Sequence, residues 1–150
     1  IGYFTSAMTE RFDGMHDVQS MIISGLYDSV GLYQKPTTLE QARAEEWLAL
    51  LELKQLSGAR FRTLNEVQKR LILIARAMIK HPPLLILDEP TAALNETGAA
   101  LIVSLINKIA ASRKTTIIYV SHRAEYGLKM DFTFELFKSE FGSKGEICTS

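Results

Sequence analysis

The sequence predicts an α/β fold in which a helical first half precedes a βαβ unit of a parallel sheet and a closing β-hairpin. Two runs, 84–87 and 115–120, show no apolar–polar alternation, which indicates strands buried on both faces. A stretch with helical periodicity, 97–111, lies between them. A strand, helix and parallel strand in this order form a right-handed crossover. Glycines separate the segments 132–137 and 145–148, which predict the hairpin.

The first half is predicted to be helical apart from a strand at residues 1–5 that runs into a loop. A short apolar segment at 18–26 predicts one helix. The next helix begins at Thr38, where Thr38 and Gln41 have the spacing of a capping box. A third helix opens at Asn65, has a glutamine three residues on, and ends before the paired prolines that precede the first buried run.

Composition is that of one globular domain, divided into a helical part at about residues 7–80 and an α/β part at about 81–150. Of 150 residues, 47% are hydrophobic and 23% are charged. Seventeen basic residues balance seventeen acidic ones, so charge gives no strong nucleic-acid signal. No apolar run approaches the roughly 20 residues that span a bilayer. The single cysteine, Cys148, is typical of a reducing compartment.

Reactive side chains follow both buried runs. Asp88 and Glu89 come after the first, and His122 comes after the second. Parallel sheets bind their ligands at the carboxyl ends of the strands. There an aspartate can hold Mg²⁺, a glutamate can polarise a water, and a histidine can donate to a phosphate oxygen. Asp88 or His122 alone would more often be a structural polar group, but together and in this order they predict phosphate chemistry.

Several segments resemble the motifs of ABC-type ATPases, in the order that the family has them. Residues 84–91 resemble the Walker B motif with its following glutamate, and 119–122 the switch-histidine strand. Residues 64–77 resemble the signature motif and its helix, and 1–3 the strand that enters the Q-loop. Four further residues resemble the D-loop: Ala92, Ala93, Leu94 and Asn95. Within the family, residues 47–48, 61–64 and 121–125 look most like those of the cytosolic ATPases related to molybdate transport.

This resemblance implies a P-loop NTPase-like fold and an ATP-hydrolysing function with ATP and Mg²⁺. Asp88 would hold Mg²⁺ through water, Glu89 would act as general base, and His122 would contact the γ-phosphate. ATP would lie between two ABC ATPase subunits or domains, with the signature segment of one facing the nucleotide of the other. The helical part would dock a membrane permease. The protein is therefore expected in the cytoplasm, peripheral at the inner face of the membrane.

The chain departs from the family pattern in four places. The phosphate-binding Walker A loop is absent and is expected upstream, so the chain is expected to be a C-terminal portion that is inactive alone. Ser6 stands at the Q-loop glutamine, and Asn95 stands where aspartate is usual. The signature is degenerate after Leu64, because glutamate and valine replace its two glycines; the ATP-contacting positions are Asn65, Glu66, Val67 and Gln68.

Three functions are compatible with these motifs. The first is the ATP-hydrolysing component of an ABC transporter. The second is a soluble ABC ATPase that works without membrane partners. The third is a non-hydrolysing regulatory or dimerisation module, which the degenerate signature favours and the intact Glu89 opposes. A branched side chain at Val67 and a negative charge at Glu66 would obstruct a phosphate, so slow hydrolysis is expected.

Overall fold

A three-stranded parallel sheet organises the chain in a computed structural model that describes residues 1–12 and 15–149. The strands are β1 (Gly2–Thr5), β2 (Leu84–Asp88) and β3 (Thr116–Val120), in the order β1-β2-β3. Thr5 lies opposite Asp88, and Asp88 lies opposite Val120. The carboxyl ends of all three strands therefore meet at one edge, as the sequence predicts.

Five helices and a hairpin complete the described structure. The helices are α1 (Met8–Arg11), α2 (Val18–Ile23), α3 (Thr38–Leu50), α4 (Glu66–Met78) and α5 (Glu96–Ala111). Short 3₁₀ turns occupy Ser24–Tyr27, Lys54–Leu56 and Phe61–Thr63. The antiparallel hairpin consists of β4 (Phe132–Ser139) and β5 (Gly142–Thr149). The predicted strands, main helices and hairpin are thus confirmed to within a few residues. No helix in the described ranges is long and apolar enough to cross a membrane.

The capping box of α3 differs from the prediction by one residue. Thr37, not Thr38, is the N-cap, and its side chain accepts a hydrogen bond from the Glu40 backbone N–H at 3.2 Å. Glu40 in turn accepts from the Thr37 N–H at 2.7 Å. The Thr38–Gln41 pair has the same spacing, but only the Thr37–Glu40 pair places its threonine in the extended conformation that an N-cap requires.

Helix α4 is the centre of the hydrophobic core. It packs on β1, α2 and α5, and the run Leu71–Ala75 is buried without interruption. Five consecutive helical residues point in all directions around the helix axis, so this part of α4 lies in the interior. One continuous apolar cluster reaches from Phe4 in β1 through α4 to Ile109 in α5. The division of the chain at about residue 80 stays a prediction.

Only one face of the sheet is covered by the described residues. Leu85 and Leu87 are fully buried, whereas Ile118 is 47% exposed and Val120 is 44% exposed. The expectation that both strands are buried on both faces is therefore wrong for this chain. Alternate residues of a strand point to opposite faces, and the described helices pack on the face of Leu85 and Leu87 alone.

Candidate active site

The strand ends bring the predicted acids, the histidine and Ser6 to one edge of the sheet. Asp88 is the last residue of β2, and its carbonyl oxygen accepts a hydrogen bond from the Ser6 N–H at 3.4 Å. The Glu89 N–H donates to the Val120 carbonyl at 2.9 Å. Backbone pairing therefore fixes where Asp88 and Glu89 leave the sheet, beside the residues that precede His122.

Glu89 adopts a strained backbone conformation and contacts the candidate histidine. Its φ is 50°, in the left-handed region that a residue with a Cβ rarely occupies. Its Oε1 accepts from the His122 backbone N–H at 2.9 Å and lies 3.3 Å from His122 Nε2. The Glu89 side chain is 23% exposed and that of His122 is 96% exposed. Such strain persists where the surroundings enforce it, and it concentrates at functional sites.

Asp88 has the properties of a metal ligand at an open edge. Its side chain is half-buried, and no donor in residues 1–12 or 15–149 reaches its carboxylate within hydrogen-bond distance. The described residues contain no group of three or more acids, histidines or cysteines that could enclose a metal ion. Mg²⁺ does not need one, because it is commonly held by one or two carboxylates together with substrate phosphates and water. The donor set therefore fits Mg²⁺ bound together with a nucleotide.

The D-loop-like residues form two turns that lead into α5. The Ala92 N–H donates to the Glu89 carbonyl at 3.1 Å, and the Leu94 N–H donates to the Thr91 carbonyl at 3.1 Å. Ala93 has a left-handed φ of 60°. The Asn95 side chain caps α5 by accepting from the Gly98 N–H at 2.8 Å. Asn95 therefore has a structural role in this chain whatever else it contacts.

In the signature-like segment, Asn65 and Gln68 are used by the helix that they begin. Asn65 Oδ1 accepts from the Gln68 N–H at 2.9 Å, and Gln68 Oε1 accepts from the Asn65 N–H at 3.1 Å. This reciprocal capping box confirms the predicted start of α4. Two of the four predicted ATP-contacting side chains are therefore occupied by their own backbone.

The other two side chains of the segment contact residues of other helices or of their own helix. Glu66 Oε1 accepts from Thr9 Oγ1 at 2.9 Å and from Arg70 Nε at 3.0 Å. Val67 packs so closely on α5 that a Cβ built on Gly98 would lie 2.8 Å from Val67 Cγ2. Arg70 therefore neutralises the Glu66 carboxylate, and the half-buried Val67 packs against α5. Contact of these two residues with ATP stays a prediction.

Sequence reasoning missed four residues around this edge. Arg70 is 4% exposed and donates from Nη1 to the Pro90 carbonyl at 2.9 Å, which links α4 to the loop after Asp88 and Glu89. Its spacing of four from Glu66 was the available signal. The contacts of Thr9 with Glu66 and of Thr91 with Glu125 gave no signal, because the two residues of each pair lie more than thirty residues apart in sequence. Burial raises the pKa of the Tyr119 hydroxyl above its ordinary value, and this hydroxyl hydrogen-bonds with that of Thr91.

Similarity to known proteins identifies the family of this chain. The sequence profile described as "ABC transporter" matches residues 3–92. The chain belongs to the ABC transporter family. It is 37% identical over 126 residues to the ABC transporter ATP-binding protein ModF of Escherichia coli, and 31% identical over 123 residues to the molybdate import ATP-binding protein MolC of Haemophilus influenzae. These alignments cover 83% and 82% of the chain.

The family membership is matched by a similar fold. The dimeric ATP-binding cassette MJ0796, solved in a post-hydrolysis state bound to ADP and Pi, superposes with a TM-score of 0.61. The superposition covers 81% of this chain and 52% of that one, at 23% identity. The P-loop NTPase-like fold and the resemblance to molybdate-transport ATPases are confirmed. The chain spans 26% of the length of ModF and 48% of that of MolC.

Proposed function

We propose that this chain supplies the water-activating and metal-binding part of the ATP-hydrolysis centre of an ABC transporter ATPase. The observation that carries the proposal is the Glu89–His122 arrangement at the sheet edge, next to Asp88. The His122 backbone N–H donates to Oε1 of Glu89, and His122 Nε2 lies 3.3 Å from the same oxygen. The second oxygen, Oε2, has no partner in the part of the chain that the structure describes and is available to a water.

The chemistry follows from these positions. A water hydrogen-bonded to Glu89 Oε2 attacks the γ-phosphorus, and the carboxylate takes up its proton. A new phosphorus–oxygen bond forms, and the bond between the γ-phosphorus and the bridging oxygen breaks, so ADP leaves with that oxygen. His122 orients the carboxylate and is placed to donate to a γ-phosphate oxygen. Asp88 would hold Mg²⁺, which neutralises charge on the phosphates.

The partners of the complete protein belong to the same proposal. A second ATPase subunit would complete the site, as the dimeric cassette MJ0796 suggests. A membrane permease would bind at the inner face of the membrane, with the helices before β2 as its docking part. The sequence identity of 31% to a molybdate import ATP-binding protein supports molybdate as the first substrate to test. These assignments are proposals for the whole protein.

Hydrolysis by the complete protein tests the catalytic assignment. Glu89→Gln should lower the steady-state rate by about 10²–10⁴, because it removes the base but no phosphate ligand. ATP affinity should stay within about threefold of the parent, because the change leaves the groups that bind ATP in the ground state in place. Glu46→Gln, which changes an exposed carboxylate of α3, is the matched control and should change neither quantity. A Glu89→Gln variant that hydrolyses at the parent rate would exclude Glu89 as the base.

A non-hydrolysing regulatory module is the second candidate function. It is favoured by the signature-like segment, where Glu66 and Val67 replace glycines and make internal contacts. The same assay separates the two functions. If the parent turns over no faster than its Glu89→Gln variant while both bind ATP, the module is the better description.

A further inference from the structure

A buried carboxylate lies beside the proposed catalytic pair without belonging to it. Glu125 follows His122 by three residues, and its side chain is only 5% exposed. Its Oε1 accepts from Thr91 Oγ1 in a short hydrogen bond, and also from Ser121 Oγ and Arg123 Nε, each at 3.4 Å. Burial of a carboxylate costs free energy unless hydrogen-bond donors compensate it, and here three donors surround Glu125 Oε1.

The contacts of Glu125 join two loops. Thr91 is 1% exposed and belongs to the loop that carries Glu89, two residues earlier. Its carbonyl oxygen accepts from Arg123 Nη2 at 3.3 Å, and its hydroxyl lies 3.2 Å from the hydroxyl of Tyr119. The loop after β2 and the loop after β3 are therefore connected near Thr91, in addition to the bond between Glu89 and His122.

This connection matters because little else holds His122. Its side chain is 96% exposed, so packing does not fix its position. We propose that Glu125 is a positioning residue, whose bond to Thr91 keeps the His122 loop at the distance where His122 can bind Glu89. The proposal rests on the hydrolytic function proposed above. Misplacement of a catalytic group by about 1 Å can lower a rate by about 10².

Three variants of the complete protein isolate the contact. Glu125→Leu removes the acceptor at similar volume. Glu125→Gln retains an amide oxygen that can take the place of Oε1, where all three donors converge. Thr91→Val removes the hydroxyl from the opposite side of the same bond while preserving volume. Glu135→Leu, at an exposed carboxylate of the hairpin, is the matched control.

Hydrolysis kinetics give the first readout. Glu125→Leu and Thr91→Val should each lower kcat by about 10- to 100-fold with KM within about twofold, since they disturb the reacting groups and not the binding of ATP. Glu125→Gln and Glu135→Leu should stay near the parent. In a Glu89→Gln background, Glu125→Leu should have little further effect, because residues that act as a unit are not additive.

Amide hydrogen exchange gives a second readout that does not depend on turnover. Exchange of the 121–126 segment should become faster in Glu125→Leu and Thr91→Val and stay at the parent rate in Glu125→Gln. The proposal is overturned if Glu125→Leu exchanges like the parent, or if its kinetic effect adds fully to that of Glu89→Gln. A failure of the hydrolytic function itself would show separately, as full activity in Glu89→Gln, and exchange would still decide the role of Glu125.

Discussion

The sheet edge and the signature-like segment both resemble ABC motifs, yet they differ in how their side chains are used. At the edge, the Asp88 carboxylate has no donor among the described residues, and Glu89 keeps one oxygen available. In the segment, Asn65 and Gln68 cap their own helix, while Glu66 is paired with Arg70. The carboxylates at the edge keep oxygens without a partner among the described residues, whereas the side chains of the segment make contacts within their own chain.

This difference shows that resemblance of a motif and availability of its groups are separate properties. Glycines in the signature would expose backbone N–H groups to a phosphate. Here the side chains that replace them have become part of the internal packing between α1, α4 and α5. Restoring glycine at Glu66 and Val67 would therefore remove stabilising contacts, in addition to any gain in contact across a dimer.

Arg70→Leu should have the largest effect on stability. It leaves the Pro90 carbonyl without its buried donor and removes the partner of Glu66. We expect the free energy of unfolding to fall by about 2–3 kcal/mol, less than for a fully buried pair because Glu66 is partly exposed. Urea denaturation of the complete protein measures it, with Glu66→Gln as the milder comparison. Equal losses in both variants would mean that Arg70 has no role beyond the ion pair.

Gly98→Ala tests the contact that closes the segment. The added Cβ would meet Val67 Cγ2 at 2.8 Å, so the change should destabilise by about 1 kcal/mol in spite of the better helix propensity of alanine. In a Val67→Ala background only the contact with Asn95 Oδ1, at 3.1 Å, remains close, so Gly98→Ala should destabilise less than in the parent. A double-mutant cycle measures this coupling, expected at about 1–2 kcal/mol. Additive effects would show that Val67 and Gly98 do not constrain each other.

Asn65→Ala should cost about 1 kcal/mol through loss of the N-cap of α4. Asn65→Ser, which also caps, is the control and should restore most of that loss. If the segment instead used Asn65 for ATP, then Asn65→Ala would lower ATP affinity and leave thermal stability in the absence of nucleotide unchanged. Differential scanning fluorimetry with and without ATP distinguishes the two outcomes.

The smallest expected effect concerns the backbone of Glu89. Because its φ is 50°, Glu89→Gly should be more stable than Glu89→Ala by up to about 1 kcal/mol. This order is the reverse of that expected at an ordinary position. Both variants lose the carboxylate, so the comparison isolates conformational strain. Thermal unfolding of the two proteins side by side measures it, and a more stable alanine variant would mean that the strain is relieved elsewhere.

Much of the fold was predictable because it depends on local pattern. The two strand runs, the capping signal at Asn65 and the glycine-bounded hairpin each lie within a few residues of sequence. The position of Asp88, Glu89 and His122 at the same edge of the sheet was predictable too, because parallel strands bring their carboxyl ends to one edge. The one-residue error at Thr37 arose where two overlapping pairs had identical spacing.

The contacts of the site were not predictable in the same way. Thr9 meets Glu66 across 57 residues, and Thr91 meets Glu125 across 34. Periodic sequence patterns do not indicate such pairs, because the pairs depend on how α4 and the two loops pack in three dimensions. The direction of Val67 was equally hidden, since it is decided by the absence of a side chain at Gly98 on another helix.

Strand β3 has a practical consequence for anyone who prepares this chain by itself. In the described structure it pairs only with β2, so its other edge is unpaired. On the uncovered face of the sheet, its side chains Ile118 and Val120 are about half exposed. A strand with one unpaired edge and an apolar face is a template for edge-to-edge association between molecules. Light scattering of the isolated chain should therefore rise steeply with concentration, and Ile118→Lys should suppress the aggregation without changing the residues at the carboxyl ends of the strands.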